Sequence, residues 1–128
     1  MAADSSKENA VVYDGKNYSW ADIDKMSSVI ADELLKKNVT SKSRVAICGA
    51  NSINWIATFF ALQKINAVAV LVNPGLCVKE LCDIIEYADV SCFCYGELEA
   101  SPIELKAACK DKEIIFMSFA DNEDLRRG

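Results

Sequence analysis

Short apolar runs alternate along this chain with segments of helical periodicity, and this alternation restricts the possible folds more than any other feature. The runs at 45–48, 67–72, 92–95 and 114–117 have the length of buried strands. A segment with helical spacing stands between each run and the next. Such alternation is typical of a parallel sheet with helices on both faces, because right-handed crossovers return each strand to the same sheet. The predicted fold class is therefore α/β, with a mostly parallel sheet.

A β-hairpin is expected ahead of this sheet. Two short segments flank Asp14-Gly15, and that pair favours a type I′ turn because both central residues need a positive φ. The resulting register pairs Val11 with Tyr18. The hairpin then leads directly into the first helix.

Four helices are predicted, and most of them have recognisable ends. Ser19, Ser52 and Ser101 precede three of them as N-caps, where a hydroxyl accepts a hydrogen bond from a free backbone N–H. Asn38 and Asn66 are expected to stop two helices in the left-handed conformation, which asparagine tolerates. After the helix that follows Ser19, the others are predicted over 53–65, over about 78–88, and from 102 to near 109.

Two of these segments are expected to be deeply buried. The helix at 53–65 is apolar on most of its sides, as in a helix surrounded by protein, and Trp55 is assigned to the core with it. The run 67–72 does not alternate between apolar and polar residues, which is typical of a strand covered on both faces. The final strand, 114–117, is apolar and is expected to lie at an open sheet edge.

One domain is predicted for a chain of 128 residues. Residues 1–9 are expected to be a disordered amino terminus, 10–118 a single, incomplete α/β domain, and 119–128 a frayed tail. The amino terminus lacks the apolar core of a signal peptide, and the longest apolar run is too short to cross a bilayer. A cytoplasmic protein without a transmembrane segment is therefore expected.

Charge and residue content exclude several classes of function. The formal net charge is −5 and no run of Lys or Arg exists, so nucleic acid is not expected as a partner. The chain has no histidine, which removes Ser–His and Cys–His nucleophile pairs and histidine metal sites. Its five glycines are too widely spaced for a dinucleotide-binding or P-loop motif.

The six cysteines are expected to be thiols, because disulfides are rare in a reducing compartment. Cys92 and Cys94 share a face if they lie on one strand. The spacing of Cys77 and Cys82 suits neither a CxxC pair nor a zinc site. The favoured interpretation is that the cysteines serve as small buried hydrophobic residues, since free cysteine is among the most buried types.

Two polar features could form a site, but each has a simpler explanation. The turn at 49–52 leads into a helix and could bind one small anion, although a plain helix cap is favoured. Glu97, Glu99 and Glu104 could act in acid–base chemistry or hold a metal, although a solvated face is favoured. No catalytic, cofactor-binding or metal-binding residue is predicted.

Aromatic and basic residues are interpreted in the same way. Tyr13, Tyr18 and Trp20 are expected to share one face of the hairpin. They could form a stacking platform, but packing against the following helix is favoured. Lys42 and Arg44 are interpreted as a solvated strand entrance.

Five short segments, in constant order and spacing over about residues 10–95, resemble a known family. They are YSWADI at 18–23, RVAI at 44–47, NSINW at 51–55, KINAV at 64–68 and NPGLCVKEL at 73–81. They are similar to the family's TY-x-EL, DRVAI, NS-x-EW, KAGAV and NP-x-LT-x-EEL segments. The family is the adenylate-forming, or AMP-binding, superfamily, of the acyl-CoA synthetase and CoA ligase type.

The chain departs from the family pattern at four positions. Asn38 and Asn66 stand where the family usually has glycine, and asparagine is the next-best residue for a left-handed helix stop. Cys77 replaces a capping threonine, so the helix that it precedes should be less well capped. Ser43 replaces the aspartate of DRVAI.

The resemblance implies a whole enzyme that uses ATP, Mg²⁺ and coenzyme A. Such an enzyme converts a carboxylic acid, as in fatty acid metabolism, to an acyl-adenylate and then to acyl-CoA. The family's phosphate loop, adenine segment, ribose-binding aspartate and catalytic lysine lie beyond the matched region, and none occurs in this sequence. This chain alone is therefore expected to be an inactive amino-terminal fragment without a cofactor of its own.

Two alternatives are considered beside that interpretation. The chain could be a stand-alone, non-catalytic α/β binding or oligomeric scaffold module. Whether the chain is such a module or an enzyme fragment, its carboxy-terminal sheet edge is expected to self-associate or to contact the missing remainder of the enzyme. An open apolar edge attracts partners. A small redox or flavin protein is disfavoured, since no phosphate-binding loop follows the first parallel strand.

Overall fold

The computed structural model describes residues 9–13, 15–50 and 52–120 of the chain. The predicted order of elements is confirmed. The expected disorder of 1–9 and fraying of 119–128 fall mostly on residues 1–8 and 121–128, which lie outside the described ones. Among the described helices, none combines the length and the apolar composition that a membrane span requires. The elements are β1 (Asn9–Tyr13), β2 (Lys16–Ser19), α1 (Trp20–Lys36), β3 (Arg44–Cys48), α2 (Ile53–Lys64), β4 (Val68–Val72), α3 (Val78–Tyr87), β5 (Cys92–Tyr95), α4 (Pro102–Ala108) and β6 (Ile115–Ser118).

The hairpin has the predicted register. Strands β1 and β2 are antiparallel, and Val11 pairs with Tyr18. Gly15 has a φ of 75°, a left-handed conformation that glycine adopts without strain. The other turn residue, Asp14, lies outside the described residues. Asn9, which the sequence analysis placed in the disordered amino terminus, pairs with Ser19 in the hairpin.

The remaining strands form one parallel sheet in the order β4-β3-β5-β6. Helices α1 and α2 pack on one face of this sheet, and α3 and α4 pack on the other. The α/β prediction is therefore confirmed. The central strand β3 is buried on both faces, with Val45 and Ile47 toward α1 and α2, and Ala46 and Cys48 toward α3 and α4.

The helix ends follow the predicted local chemistry. Ser19 Oγ accepts a hydrogen bond from the Asp22 N–H (3.1 Å), and Asp22 Oδ2 accepts one from the Ser19 N–H (2.9 Å), which completes a capping box. Asn38 and Asn66 have φ values of 68° and 59°, as expected for left-handed stops. Ser101 Oγ accepts from the Glu104 N–H (3.3 Å) at the start of α4.

The prediction that the run 67–72 is covered on both faces is wrong. Among the described strands, its strand β4 lies at one edge of the sheet and pairs with β3 alone. Val68 is 47% exposed and Leu71 is 60% exposed. The apolar run has the composition of a central strand, but strand order, which composition does not encode, places it at the edge.

The prediction that α2 is largely buried is correct for only one side of the helix. Ala57 and Leu62 are fully buried between the sheet and α1. The opposite side is only half-buried, and it carries Trp55, Ile56, Phe59 and Phe60. A helix in an outer layer is covered on one side, whatever its composition.

Candidate functional site

The carboxyl ends of β3 and β5 lie side by side at the centre of the sheet, where Cys48 pairs with Tyr95. From β3 the chain passes through α2 to β4 at one edge, and from β5 it passes through α4 to β6 at the other edge. The two loops therefore leave in opposite directions. In open α/β sheets a crevice forms at such a reversal of strand order, and ligands bind there.

The structure has a cavity of about 460 Å³ at this point, which we call the switch crevice. Four parts of the chain meet around it: the hairpin, the β3–α2 turn, the end of β5 and the segment after β6. Its described lining residues are Tyr13, Ala50, Ser52, Asn54, Tyr95, Gly96, Glu97, Ser118, Phe119 and Ala120.

Two glycines and one phenylalanine shape the floor of the switch crevice. Gly49 and Gly96 directly follow β3 and β5, and the Gly96 N–H donates to the Cys48 carbonyl oxygen (3.0 Å). The ring of Phe119 lies against both glycines. A Cβ at Gly96 would lie 2.8 Å from Phe119 Cδ2, and one at Gly49 would lie 2.9 Å from Phe119 Cε2. Glycine is therefore the only residue that fits either position without movement of the ring.

No sequence motif predicts this arrangement. Gly96 enters the sequence-based predictions only as one of five glycines that form no nucleotide-binding motif, and Phe119 falls in the predicted frayed tail, whereas Phe119 is in fact 6% exposed. The available signal was the placement of one glycine directly after each of two predicted strands. Its meaning depended on knowing that those strands are neighbours.

The turn at 49–52 borders the switch crevice and caps α2. Ser52 Oγ accepts a hydrogen bond from the Trp55 N–H at 3.1 Å, so this hydroxyl serves as a helix cap. Asn51 lies outside the described residues. Among the described lining residues, Glu97 is the single charged side chain, and it is exposed. The crevice offers hydroxyl, amide and aromatic groups rather than cations that would stabilise phosphate.

The three acidic candidates do not meet at one place. Glu97 borders the switch crevice, whereas Glu99 and Glu104 line a separate groove between α3 and α4. All three side chains are exposed. Within residues 9–13, 15–50 and 52–120, no group of three or more Cys, Asp or Glu is placed to hold a metal.

The basic candidates lie at the opposite end of the sheet. Arg44 begins β3, and its Nη1 lies 3.3 Å from Asp89 Oδ2 in an exposed ion pair. Lys42 is exposed, and its backbone N–H donates to the Asn66 carbonyl oxygen (2.8 Å). Both residues are remote from the switch crevice, since the strands run between them.

The three aromatic candidates do not all lie in the hairpin: Tyr13 and Tyr18 belong to its strands, whereas Trp20 begins α1. Tyr18 is half-buried and packs toward α1, as expected, but Tyr13 is 40% exposed at the switch crevice. Trp20 does not share the hairpin face, because the helix begins there. It is 47% exposed and meets Phe60 edge-on, with ring centroids 6.2 Å apart. Trp55, expected in the core, is half-buried and stacks on Phe59.

Most cysteines are buried thiols, as predicted, but Cys77 is exposed and Cys82 is half-buried. Burial raises the pKa of the Cys48 thiol to about 11. A hydrogen bond with Cys92, together with burial, raises the pKa of Cys94 well above its ordinary value. These buried thiols keep their protons at neutral pH and are poor nucleophiles, since the thiolate is the reactive form.

The sequence profile of the AMP-binding enzyme family matches residues 1–127. This chain belongs to the AMP-binding enzyme family. The putative acyl-CoA synthetase YngI of Bacillus subtilis (strain 168) is 33% identical over 85 residues, which make up 65% of this chain and 16% of that relative. A 2-succinylbenzoate–CoA ligase of Listeria monocytogenes is 29% identical over 86 residues, 67% of this chain and 18% of the relative. The chain thus spans less than a fifth of the length of each of these relatives.

Solved structures show the same fold. The amino-terminal domain of FACL13 from Mycobacterium tuberculosis superposes with a TM-score of 0.83 at 20% identity, over 99% of this chain and 33% of that one. VinN superposes with a TM-score of 0.76 at 22% identity, over 98% of this chain and 34% of that one. The chain therefore has the fold of one part of these longer chains.

Proposed function

We propose that this chain forms the amino-terminal part of an ATP-dependent acyl-CoA synthetase. The whole enzyme joins a carboxylic acid to the AMP portion of ATP with release of pyrophosphate, and the thiol of coenzyme A then displaces AMP to give acyl-CoA. Mg²⁺ assists the first step. The observation that carries this proposal is the family match over residues 1–127, together with relatives named as an acyl-CoA synthetase and a CoA ligase.

In this proposal the chain contributes scaffold rather than reacting groups. The sequence lacks the family's phosphate loop and its catalytic lysine. Among the described residues the switch crevice has no cationic lining to stabilise charge on phosphate in a transition state. The chain alone is therefore proposed to be inactive. A cytoplasmic location is supported by its six free thiols, which suit a reducing compartment.

The first experiment tests whether the chain alone is inactive. The purified chain is mixed with ATP, Mg²⁺, coenzyme A and a panel of fatty and aromatic carboxylic acids, and pyrophosphate release is followed. We expect release at the level of the protein-free blank. Acid-dependent release that persists after a second purification step would contradict the proposed inactivity.

The second experiment tests the placement of the chain within a ligase. The matching 86-residue segment of the Listeria 2-succinylbenzoate–CoA ligase is replaced by that of this chain. The chimera is assayed with 2-succinylbenzoate, ATP and coenzyme A beside the intact ligase and a version without the segment. We expect the chimera to restore thioester formation that the deletion abolishes. A chimera that unfolds cooperatively like the intact ligase, yet makes no thioester, would count against the proposal.

A non-catalytic module that self-associates is the second candidate, and the exposed sheet edges favour it. Both edge strands are apolar, and β4 exposes Val68 and Leu71. At the carboxy-terminal edge, Ile115 and Phe116 of β6 are half-buried. In this proposal one edge pairs with a second copy, whereas in the first candidate the same edge contacts the remainder of the enzyme. A monomer by sedimentation velocity at the highest soluble concentration would exclude self-association.

A further inference from the structure

Two free thiols lie close together between α3 and α4, the helices on the face of the sheet opposite α1 and α2. Cys82 lies in α3, and Cys109 is the C-cap of α4. Their Sγ atoms are 3.8 Å apart, although the residues are separated by 27 positions in the sequence. Cys109 belongs to the apolar cluster under these helices and Cys82 packs against it. Neither residue lines the switch crevice.

The two thiols differ in access to solvent. Cys109 is 5% exposed, whereas Cys82 is half-buried. Burial, and then a hydrogen bond with Cys82, raises the pKa of Cys109 to about 11. Cys82 is therefore the thiol that a small reagent reaches first, and Cys109 is held protonated behind it.

We propose that Cys82 and Cys109 form a reversible intramolecular disulfide when the protein meets a hydroperoxide. With hydrogen peroxide, the Cys82 thiol gives up its proton and its sulfur attacks one peroxide oxygen. The O–O bond breaks, and the departing hydroxide takes up that proton and leaves as water, which gives a sulfenic acid on Cys82. Cys109 then loses its proton, and its sulfur attacks the Cys82 sulfur, which releases the hydroxyl as a second water. The two sulfurs together lose two electrons, and hydrogen peroxide is reduced to two molecules of water.

The positions of the two residues permit the required movement. A disulfide bond is about 2.05 Å long, so the sulfurs must approach by about 1.8 Å from their present 3.8 Å. Cys109 stands at the end of a seven-residue helix and is followed by a turn, where the backbone can adjust. The new bond would close a loop over a separation of 27 residues. By the chain-entropy model it lowers the unfolding equilibrium constant on the order of 100-fold or more.

The test uses a Cys77→Ser background, which removes the exposed thiol that would link separate molecules. Serine is a favoured N-cap residue, so this variant is expected to keep α3 intact. The protein is treated with hydrogen peroxide, free thiols are alkylated, and non-reducing peptide maps are recorded by mass spectrometry. We expect a linked Cys82–Cys109 peptide, a loss of two hydrogens from the intact mass, a higher melting temperature, and reversal of all three by dithiothreitol.

The additional variant Cys82→Ser, at the half-buried position, is expected to fold and to lose both the linked peptide and the gain in melting temperature. Cys109→Ser, at the buried position, is expected to lose the same linked peptide and the same gain in melting temperature. Stable oxygen adducts on Cys82 without a link to Cys109 would overturn the proposal. A linked peptide that joins Cys92 and Cys94 instead would overturn it as well.

Discussion

Gly96 is the position at which a single methyl group tests the switch crevice most directly. A Cβ there would lie 2.8 Å from Cδ2 of Phe119, which is too short for two carbon atoms, and 3.1 Å from Cε2, which is unusually tight. The ring is 6% exposed, so it has to move within a packed environment. Overpacking of this kind costs about 1 to 3 kcal/mol. Gly96 has no positive φ, so alanine also stabilises by about 0.4 to 1 kcal/mol through the unfolded chain.

Gly96→Ala is therefore expected to lower the free energy of unfolding by about 1 kcal/mol or slightly more. The measurement is urea unfolding followed by the fluorescence of the two tryptophans. The same substitution is then made together with Phe119→Ala, which removes the three atoms nearest to the new methyl group. In that background the effect on the unfolded chain is expected to dominate, so Gly96→Ala changes sign and stabilises by up to about 1 kcal/mol.

Gly49→Ala provides the matched control. A Cβ at Gly49 meets Phe119 Cε2 at 2.9 Å, but it also lies 3.2 Å from the backbone nitrogen of Gly96. Phe119→Ala relieves the first contact and leaves the second, so Gly49→Ala should stay destabilising in that background. An equal cost of Gly96→Ala with and without the phenyl ring, within about 0.5 kcal/mol, would refute the arrangement described here.

Three other predictions test separate parts of the fold. Cys77→Thr restores an oxygen cap for α3 and should raise the free energy of unfolding by about 1 kcal/mol in urea titrations. Burial raises the Cys48 pKa from 9.0 to about 11, so the folded state keeps a proton that the unfolded state loses. The Cys48 contribution to stability should be full well below pH 9 and fall by about 2 to 3 kcal/mol by pH 11, so Cys48→Ala should reduce the decline in the free energy of unfolding by about that amount across this range. Leu71→Lys should weaken any self-association in sedimentation velocity, whereas Val12→Lys, exposed on the hairpin, should not.

Elements whose signals are local could be predicted from the sequence. The capping box of Ser19 and Asp22 and the left-handed stops at Asn38 and Asn66 depend on residues within one or two turns. The turn that includes Gly15 is equally local. Each signal reports a backbone conformation that few residue types favour. Their positions along the chain divided it correctly into strands and helices.

Burial could not be predicted as well, because it depends on which elements are neighbours. The strands β3 and β4 have similar apolar sequences, but Val45 is fully buried at the centre of the sheet and Leu71 is 60% exposed at its edge. The same limit explains the helix α2, whose apolar side chains face both the core and the surface. Composition shows that a segment tolerates burial, and only strand order shows whether it is buried.

The switch crevice illustrates how a site can arise from three residues that carry no motif. Cys48 and Tyr95 are paired, so the glycines that follow them, Gly49 and Gly96, must be neighbours. The strand β6 lies beside β5, so the residue after its end, Phe119, reaches the same pair. Each step requires the sheet order, and none requires a particular local sequence. Because the ring can lie there only while both glycines lack a Cβ, these three residues form one unit, and a change in any one of them should alter the shape of the crevice.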